Sequence, residues 1–493
     1  MAQLTGPAKL DAVRKLLDDL NEDLKSGTLQ PPERDAALEQ LKLYGRDPSF
    51  ADPIFTKEGI ETLAKFAFDS SSDITSRNAL RVLCNALFLK SETRQIFVGL
   101  GYEAKACAKL QSDNRDDEFL VSRLLLLTTY GTNIDLPSMI EKHQLADSII
   151  QNLARHADRF SEKQSTTATA DPMTEMALAE TLKLLFNVTN FAKQHVNSFD
   201  GALAPVASIL CAHPFPQTKT PLDPPFSLLI NTLINLDLAS PAAQAALYPP
   251  AEPTKVANRL LDLLDRAMKS YADDRLDQDV SPLVCALAEF YKSAPRTGDA
   301  KATAPTDPVR VRVRAALLPT DEDRKLVLGK AETLPSRLLR NWTNALAPQF
   351  RSAVAHLYFD LSGRDPVQLV ENVGYGYASG FLFENKINVP EEVMRQQQQR
   401  EEEEQKGGES AAGSTGIRRD VNPITGQFLD EEKYPDLPEM TKEEKEREAE
   451  RLFVLFERLK QNKVMSVQDP VEKAVQEGRF QELPDDYSED DSD

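Results

Sequence analysis

Apolar residues at Leu10, Val13, Leu17, Leu20 and Leu24 recur at spacings of three and four, which puts them on one face of an amphipathic helix. The same period returns in LEQLKLYG, IETLAKFAF, NALRVLCNALFL, RLLLLTTYG, AETLKLLFNVTNFA, SLLINTLINLDL, ANRLLDLLDRAM, SPLVCALAEFY and AVAHLYFDLS, with Pro, Gly, Asp or Ser at the breaks. Strand-type alternation is hard to find, so the pattern predicts an all-α protein.

Three of these segments embed an Asn in an apolar helix: Asn85 in LCNALF, Asn187 in LFNVTN and Asn235 in LINLDL. The last two lie 48 residues apart, and the first two are separated by about two such units plus the polar loop SEKQSTTATADPM at 161–173. A period in the forties built from helix pairs predicts an armadillo/HEAT-like α-solenoid, a superhelix of stacked units. A buried Asn without partners is penalised. Each Asn therefore either satisfies a carbonyl of a neighbouring turn or offers its amide to a peptide lying in a concave groove.

Cations share these faces. Spacings of four put Lys42 with Arg46, and Arg77 with Arg81 and Asn85, while Arg123 precedes LLLLTT. On a convex face they would simply be solvated. On a concave face they would make the groove locally basic and suited to an acidic end or free carboxylate.

Charge changes the picture at one end only. The 493 residues carry a net charge of −20, but from Glu401 to Asp493 acids outnumber bases 27 to 13, which leaves −6 for the first 400 residues. An acidic chain with a pI near 4.9 lacks the footprint of a general nucleic-acid binder. Cys84, Cys107, Cys211 and Cys285 lie far apart in apolar helical contexts and are expected to be small buried residues of a reduced compartment. MAQLTGPAKL has no apolar signal core, Ala2 excludes myristoylation, and no apolar run approaches the ~20 residues of a membrane span, so a soluble cytoplasmic protein is expected.

Familiar chemistry is missing. GYGYASG has GxGxxxG spacing without a βαβ unit, and no GxxxxGK[ST] loop is present. The histidines 143, 156, 195, 213 and 356 never take metal-ligand spacing, and no GxSxG elbow occurs. No catalytic residue, metal or cofactor is expected.

The segment VGYGYASGFLFENKI, Val373 to Ile387, concentrates glycines and aromatics, and its glycines are expected to permit a non-helical backbone closing the array. A Gln/Glu-rich stretch follows. Asn422, Pro423 and Gly426 then specify a turn. Thr441 and Glu444 form a capping box for a helix striped by Ala449, Leu452, Phe453, Phe456 and Leu459. The last residues are too polar to fold, and Ser488 lies in an acidic SEDD context that acidophilic kinases accept. The expected division is a solenoid over 1–387, a charged linker over 388–420, the turn and amphipathic helix over 421–465, and an acidic disordered tail over 466–493.

LRVLCNALF at 80–88, RLLLLTTYGT at 123–132, LKLLFNVT at 182–189, VGYGYASGFL at 373–382, NPITGQ at 422–427 and MTKEEKEREAERLFVLFERLKQNKV at 440–464 together resemble the synembryn family, also called resistance to inhibitors of cholinesterase 8. The resemblance implies a chaperone and guanine-nucleotide exchange factor for heterotrimeric G-protein α subunits. It further implies that the concave face takes the α subunit's C-terminal helix while the region beyond the array engages the nucleotide-binding domain. Carried over by motif, Lys42, Arg46 and Asn85 are groove positions, with Arg123, Asn187, Asn231 and Asn235 as neighbours; Arg77 and Arg81 join them by their spacing from Asn85. Tyr375, Phe381, Leu452, Phe453, Phe456 and Leu459 would form a C-terminal clamp. Lys42 departs from the family's Arg and gives up a planar fork suited to a carboxylate. The resemblance implies a monomer that reaches the cell cortex or plasma membrane through its partner. A passive armadillo-type adaptor, which holds a peptide without altering its owner's nucleotide state, is the competing reading.

Overall fold

The computed structural model describes residues 4–162, 171–216, 218–295, 307–388, 421–422 and 424–432. Among them one row of helices carries the fold: α1 Pro31–Tyr44, α2 Asp73–Leu89, α3 Arg115–Thr128, α4 Pro172–Phe191, α5 Phe226–Asn235, α6 Ser281–Ser293 and α7 Pro348–Leu361. Each packs on the next in that order. A second layer, including Lys57–Asp69, Leu145–Glu162, Leu203–Ala212 and Lys255–Ser270, covers one side of the row. This two-layer stacking of helical units along the chain is the armadillo/HEAT-like α-solenoid.

The breaks are built as the composition dictates. Ser72 caps α2 by accepting from the Thr75 amide, and Asn114 caps α3 by accepting from Asp116 and Asp117. The core runs continuously through the row, with Leu83, Leu124, Leu182, Leu185, Leu229 and Leu287 almost fully buried. Between α2 and α3 the unit spacing is 42 residues, Arg81 to Arg123; between α3 and α4 it is 60, Arg123 to Lys183, and the longer interval holds the polar loop.

Two expectations need correction. Residues Tyr375–Glu384 are helical rather than a non-helical closure, because Ala378, Phe381 and Leu382 pack inward while Gly380 faces solvent. Gly374, at φ 81°, leaves the helical region just before this helix. Cys84 and Cys107 are buried, and burial pushes both thiols up to about 12. Cys211 is half-buried and Cys285 exposed, so neither is the fully buried residue expected.

After residue 388 the next described residues, 421–432, pack back against the array. Arg324 donates to the Gly426 carbonyl at 2.9 Å, and the Gly376 amide to that of Ile424 at 3.1 Å. The expected helix with Leu452, Phe453, Phe456 and Leu459, and Ser488 beyond it, lie outside the described residues. No helix among the described residues is long and apolar enough to cross a membrane.

Candidate functional site

The side of the row left open by the second layer carries one stripe per helix. On α2 the stripe reads Ile74, Arg77, Arg81, Asn85 and Phe88; on α3 it reads Asp116, Phe119, Arg123 and Tyr130, the last just past the helix end. The spacing of three and four that buries the leucines also turns these residues outward.

The predicted cations fall into two groups. Arg77 forks onto Asp117, Nε to Oδ1 at 2.9 Å and an Nη to Oδ2 at 3.1 Å. Burial pushes the Asp117 carboxyl up, but Arg77, Lys109 and Ser112 together pull it below the usual carboxylate range. Arg81 is likewise held between Asp116 at 2.8 Å and Asn78 at 3.0 Å. These arginines tie α2 to α3. Arg123 is looser: it lies 3.7 Å from Glu180 and stacks with its guanidinium carbon 5.6 Å from the Phe88 ring and 5.9 Å from Phe119.

Lys42 is half-buried near Glu39 at 3.9 Å, a weak pair one turn apart. Arg46 stands exposed just beyond α1. Among the described residues its guanidinium has no partner, and neither does the half-buried amide of Asn85. A free planar cation just past α1 and a free amide on α2 can receive a carboxylate and a peptide carbonyl.

The other Asn residues divide differently. Asn187 donates to Thr129 Oγ1 at 2.8 Å and Asn235 to the Phe186 carbonyl at 3.1 Å, so each joins its helix to the preceding one in the row. Asn231 edges a cavity of about 200 Å³ lined also by Thr220, Asp223, Tyr271 and Arg275. Of the C-terminal residues that are described, Tyr375 is half-buried against the core. Phe381 is 5% exposed and meets His356 edge-on at 5.1 Å and Phe359 at 5.3 Å, so it closes the end of the array.

Sequence reasoning missed the apolar edge of this face. Phe88, Tyr130, Phe191 and Ile234 stand at the C-terminal ends of α2 to α5, between 37% and 58% exposed. The signal was available: Phe88 continues the outward stripe one turn past Asn85, and Tyr130 two turns past Arg123. Beside the stripe of Arg77, Arg81, Asn85 and Arg123 they add exposed apolar surface of the kind that an amphipathic helix can pack on.

A profile described as "Guanine nucleotide exchange factor synembryn" matches residues 37–479. Similar curated proteins include "Chaperone Ric-8A" of Macaca fascicularis, 26% identical with 92% of this chain and 86% of that protein covered, and the same-named protein of Gallus gallus, 26% identical with 94% and 89% covered. A "Synembryn-like chaperone" of Schizosaccharomyces pombe is 30% identical over 34% of this chain and 32% of its own. Among solved structures, a designed armadillo repeat protein aligns with 56% of this chain and 99% of its own at a TM-score of 0.35 and 14% identity.

Proposed function

The chain belongs to the synembryn family, and from that membership we propose that it is a folding chaperone and guanine-nucleotide exchange factor for heterotrimeric G-protein α subunits, taking the α subunit's C-terminal helix on the open face of the row. The observation that carries this reading is that neither Arg46 nor Asn85 has a side-chain partner among the described residues, while Phe88, three residues on from Asn85, is exposed. Arg46 would meet the terminal carboxylate, Asn85 a backbone carbonyl near the end of the helix, and Phe88 and Tyr130 its apolar side. Arg123, already stacked and only loosely paired, would add charge without having to be ordered on binding.

Exchange by such a protein requires no covalent step. Withdrawing the C-terminal helix from the α subunit's own core loosens the nucleotide site, and selective binding of the nucleotide-free form drives GDP out through the coupling between the two sites. The same preference for an opened α subunit supports folding by mass action, since a ligand of a near-native state raises its population. The chain would act as a monomer in the cytoplasm, reaching the membrane through its partner.

A competition experiment tests groove capture. A synthetic peptide of the α subunit's last dozen residues is expected to displace the intact GDP-bound subunit from this protein, and the same peptide amidated at its C-terminus to compete at least about tenfold less well, the loss of one charge-assisted contact. Equal competition by both forms would remove Arg46 from the reading, and no competition would remove the groove.

A further inference from the structure

Residues 421–422 and 424–428 fold upon one another and dock on the array. Asn422 Oδ1 accepts from the Ile424 amide at 2.8 Å and the Thr425 amide at 3.2 Å, the Gly426 amide returns to the Asn422 carbonyl at 2.8 Å, and Val421 pairs with Phe428. Five bonds hold this turn to the body. They run from Gly376 N to Ile424 O, Leu328 N to Thr425 O, Arg324 to Gly426 O, Gln427 Nε2 to Lys325 O, and Phe428 N to Arg324 O, at 2.8 to 3.3 Å.

The fit leaves no spare room. A Cβ on Gly374 would lie 2.8 Å from the Ile424 carbonyl oxygen, one on Gly376 3.0 Å from the same atom, and one on Gly426 would collide with Leu328. Arg324 spreads its other Nη over the Glu371 and Asn372 carbonyls, while Phe428 is 4% exposed. The glycines that the sequence places in two motifs some fifty residues apart therefore meet at one interface. The Asx turn supplies the bend, and the bare backbone supplies the closeness.

We propose that this interface is a non-covalent staple: it holds the C-terminal part of the chain to the array independently of residues 389–420, and it makes Glu432 the point from which that part extends. This rests on the function proposed above, together with the expectation from the family resemblance that the region beyond the array makes a second contact with the α subunit. Measured to Leu452, a tether from residue 388 has 64 residues and one from residue 432 has 20. Effective concentration at the tether's end falls as about the −3/2 power of length, so the staple raises it roughly sixfold.

The test begins without a partner. A site for a specific protease is placed in the full chain within residues 395–410, the chain is cut, and the products are run by size exclusion. The C-terminal fragment is expected to travel with the body, and to separate from it in Gly426→Val and in Gly376→Val, which crowd the interface from opposite sides. Circular dichroism of the uncut variants confirms that the array is folded. Release of the wild-type fragment on cutting would overturn the staple. In the second arm, uncut Gly426→Val is expected to bind the intact α subunit about sixfold more weakly while binding the C-terminal peptide as wild type does. Unchanged affinity for the intact subunit would overturn the staple's role in reach. A wild-type protein that binds no α subunit counts against the proposed function alone, because the cutting arm still decides the staple.

Discussion

Replacing Arg46 and Asn85 together with alanine is expected to lower affinity for the α subunit about a hundredfold, while thermal stability stays within a degree or two of the parent. The binding loss follows from removing one charge-assisted and one neutral hydrogen bond, roughly 3 kcal/mol together. The silence in stability follows from the structure: neither side chain has a partner among the described residues, so nothing is left unsatisfied when they go. Arg81 gives the contrast, since its alanine variant also strands Asp116 and Asn78. Isothermal titration beside a melting curve separates the two effects. Parent-like affinity in the double variant would place the partner elsewhere.

The largest stability effect is expected at Glu118, which lies on the opposite side of α3. It is 1% exposed and accepts from His156 Nε2 at 2.8 Å and Thr181 Oγ1 at 2.9 Å, with Arg115 3.4 Å from its other oxygen. His156 is fully buried, and Arg159 donates to its Nδ1 at 3.2 Å, which fixes the ring proton on Nε2, facing Glu118. Glu175, 3.8 Å from Arg159 and 3.2 Å from His213, extends the network. Burial pushes the Glu118 carboxyl up, but His156, Thr181 and Arg115 outweigh it and leave it below the usual carboxylate range. Glu118→Ala removes one member and strands the rest, at a cost of about 3–5 kcal/mol, and should lower the melting midpoint by roughly 5 °C.

The same group sets a pH dependence. A carboxyl held lower in the folded chain than in the unfolded one stabilises above its unfolded value, about pH 4.3, and that contribution fades as pH falls through the folded value. The gap between wild type and Glu118→Ala should therefore be full at pH 7 and narrower at pH 4 and below. Midpoints that differ by less than 2 °C at pH 7, or a gap that widens with acid, would contradict this account of the network.

How much of this was legible depends on how local the cause is. The long row helices were, because three or four turns of Leu and Ala periodicity declare a buried face, and Ser72 and Asn114 mark where two of them start. Helices such as Glu92–Val98, Glu103–Lys109, Leu136–Lys142 and Pro241–Leu247 were not, since seven residues give less than two full turns of pattern. The stripe of Arg77, Arg81 and Asn85 follows from helical spacing alone. That Arg77 is tied to Asp117 and Arg81 to Asp116, 40 and 35 residues on, depends on the register between two helices, which no local pattern encodes.

The Asn residues show the same limit. Asn187 and Asn235 reach back to the preceding helix, whereas Asn85 does not, although all three look alike in sequence. The glycine-aromatic segment was read as non-helical because glycine weakens helices. Burial of Ala378, Phe381 and Leu382 outweighs that cost, and Gly374 and Gly376 are required instead by a turn whose arrival from residue 424 sequence distance conceals.

The central claim is best tested by the release of labelled GDP from a purified G-protein α subunit, with and without this protein, beside an α subunit lacking its last dozen residues. The account predicts faster release from the intact subunit and no acceleration for the truncated one. Tight binding to the intact subunit with GDP release unchanged would contradict it, and would leave a passive peptide adaptor.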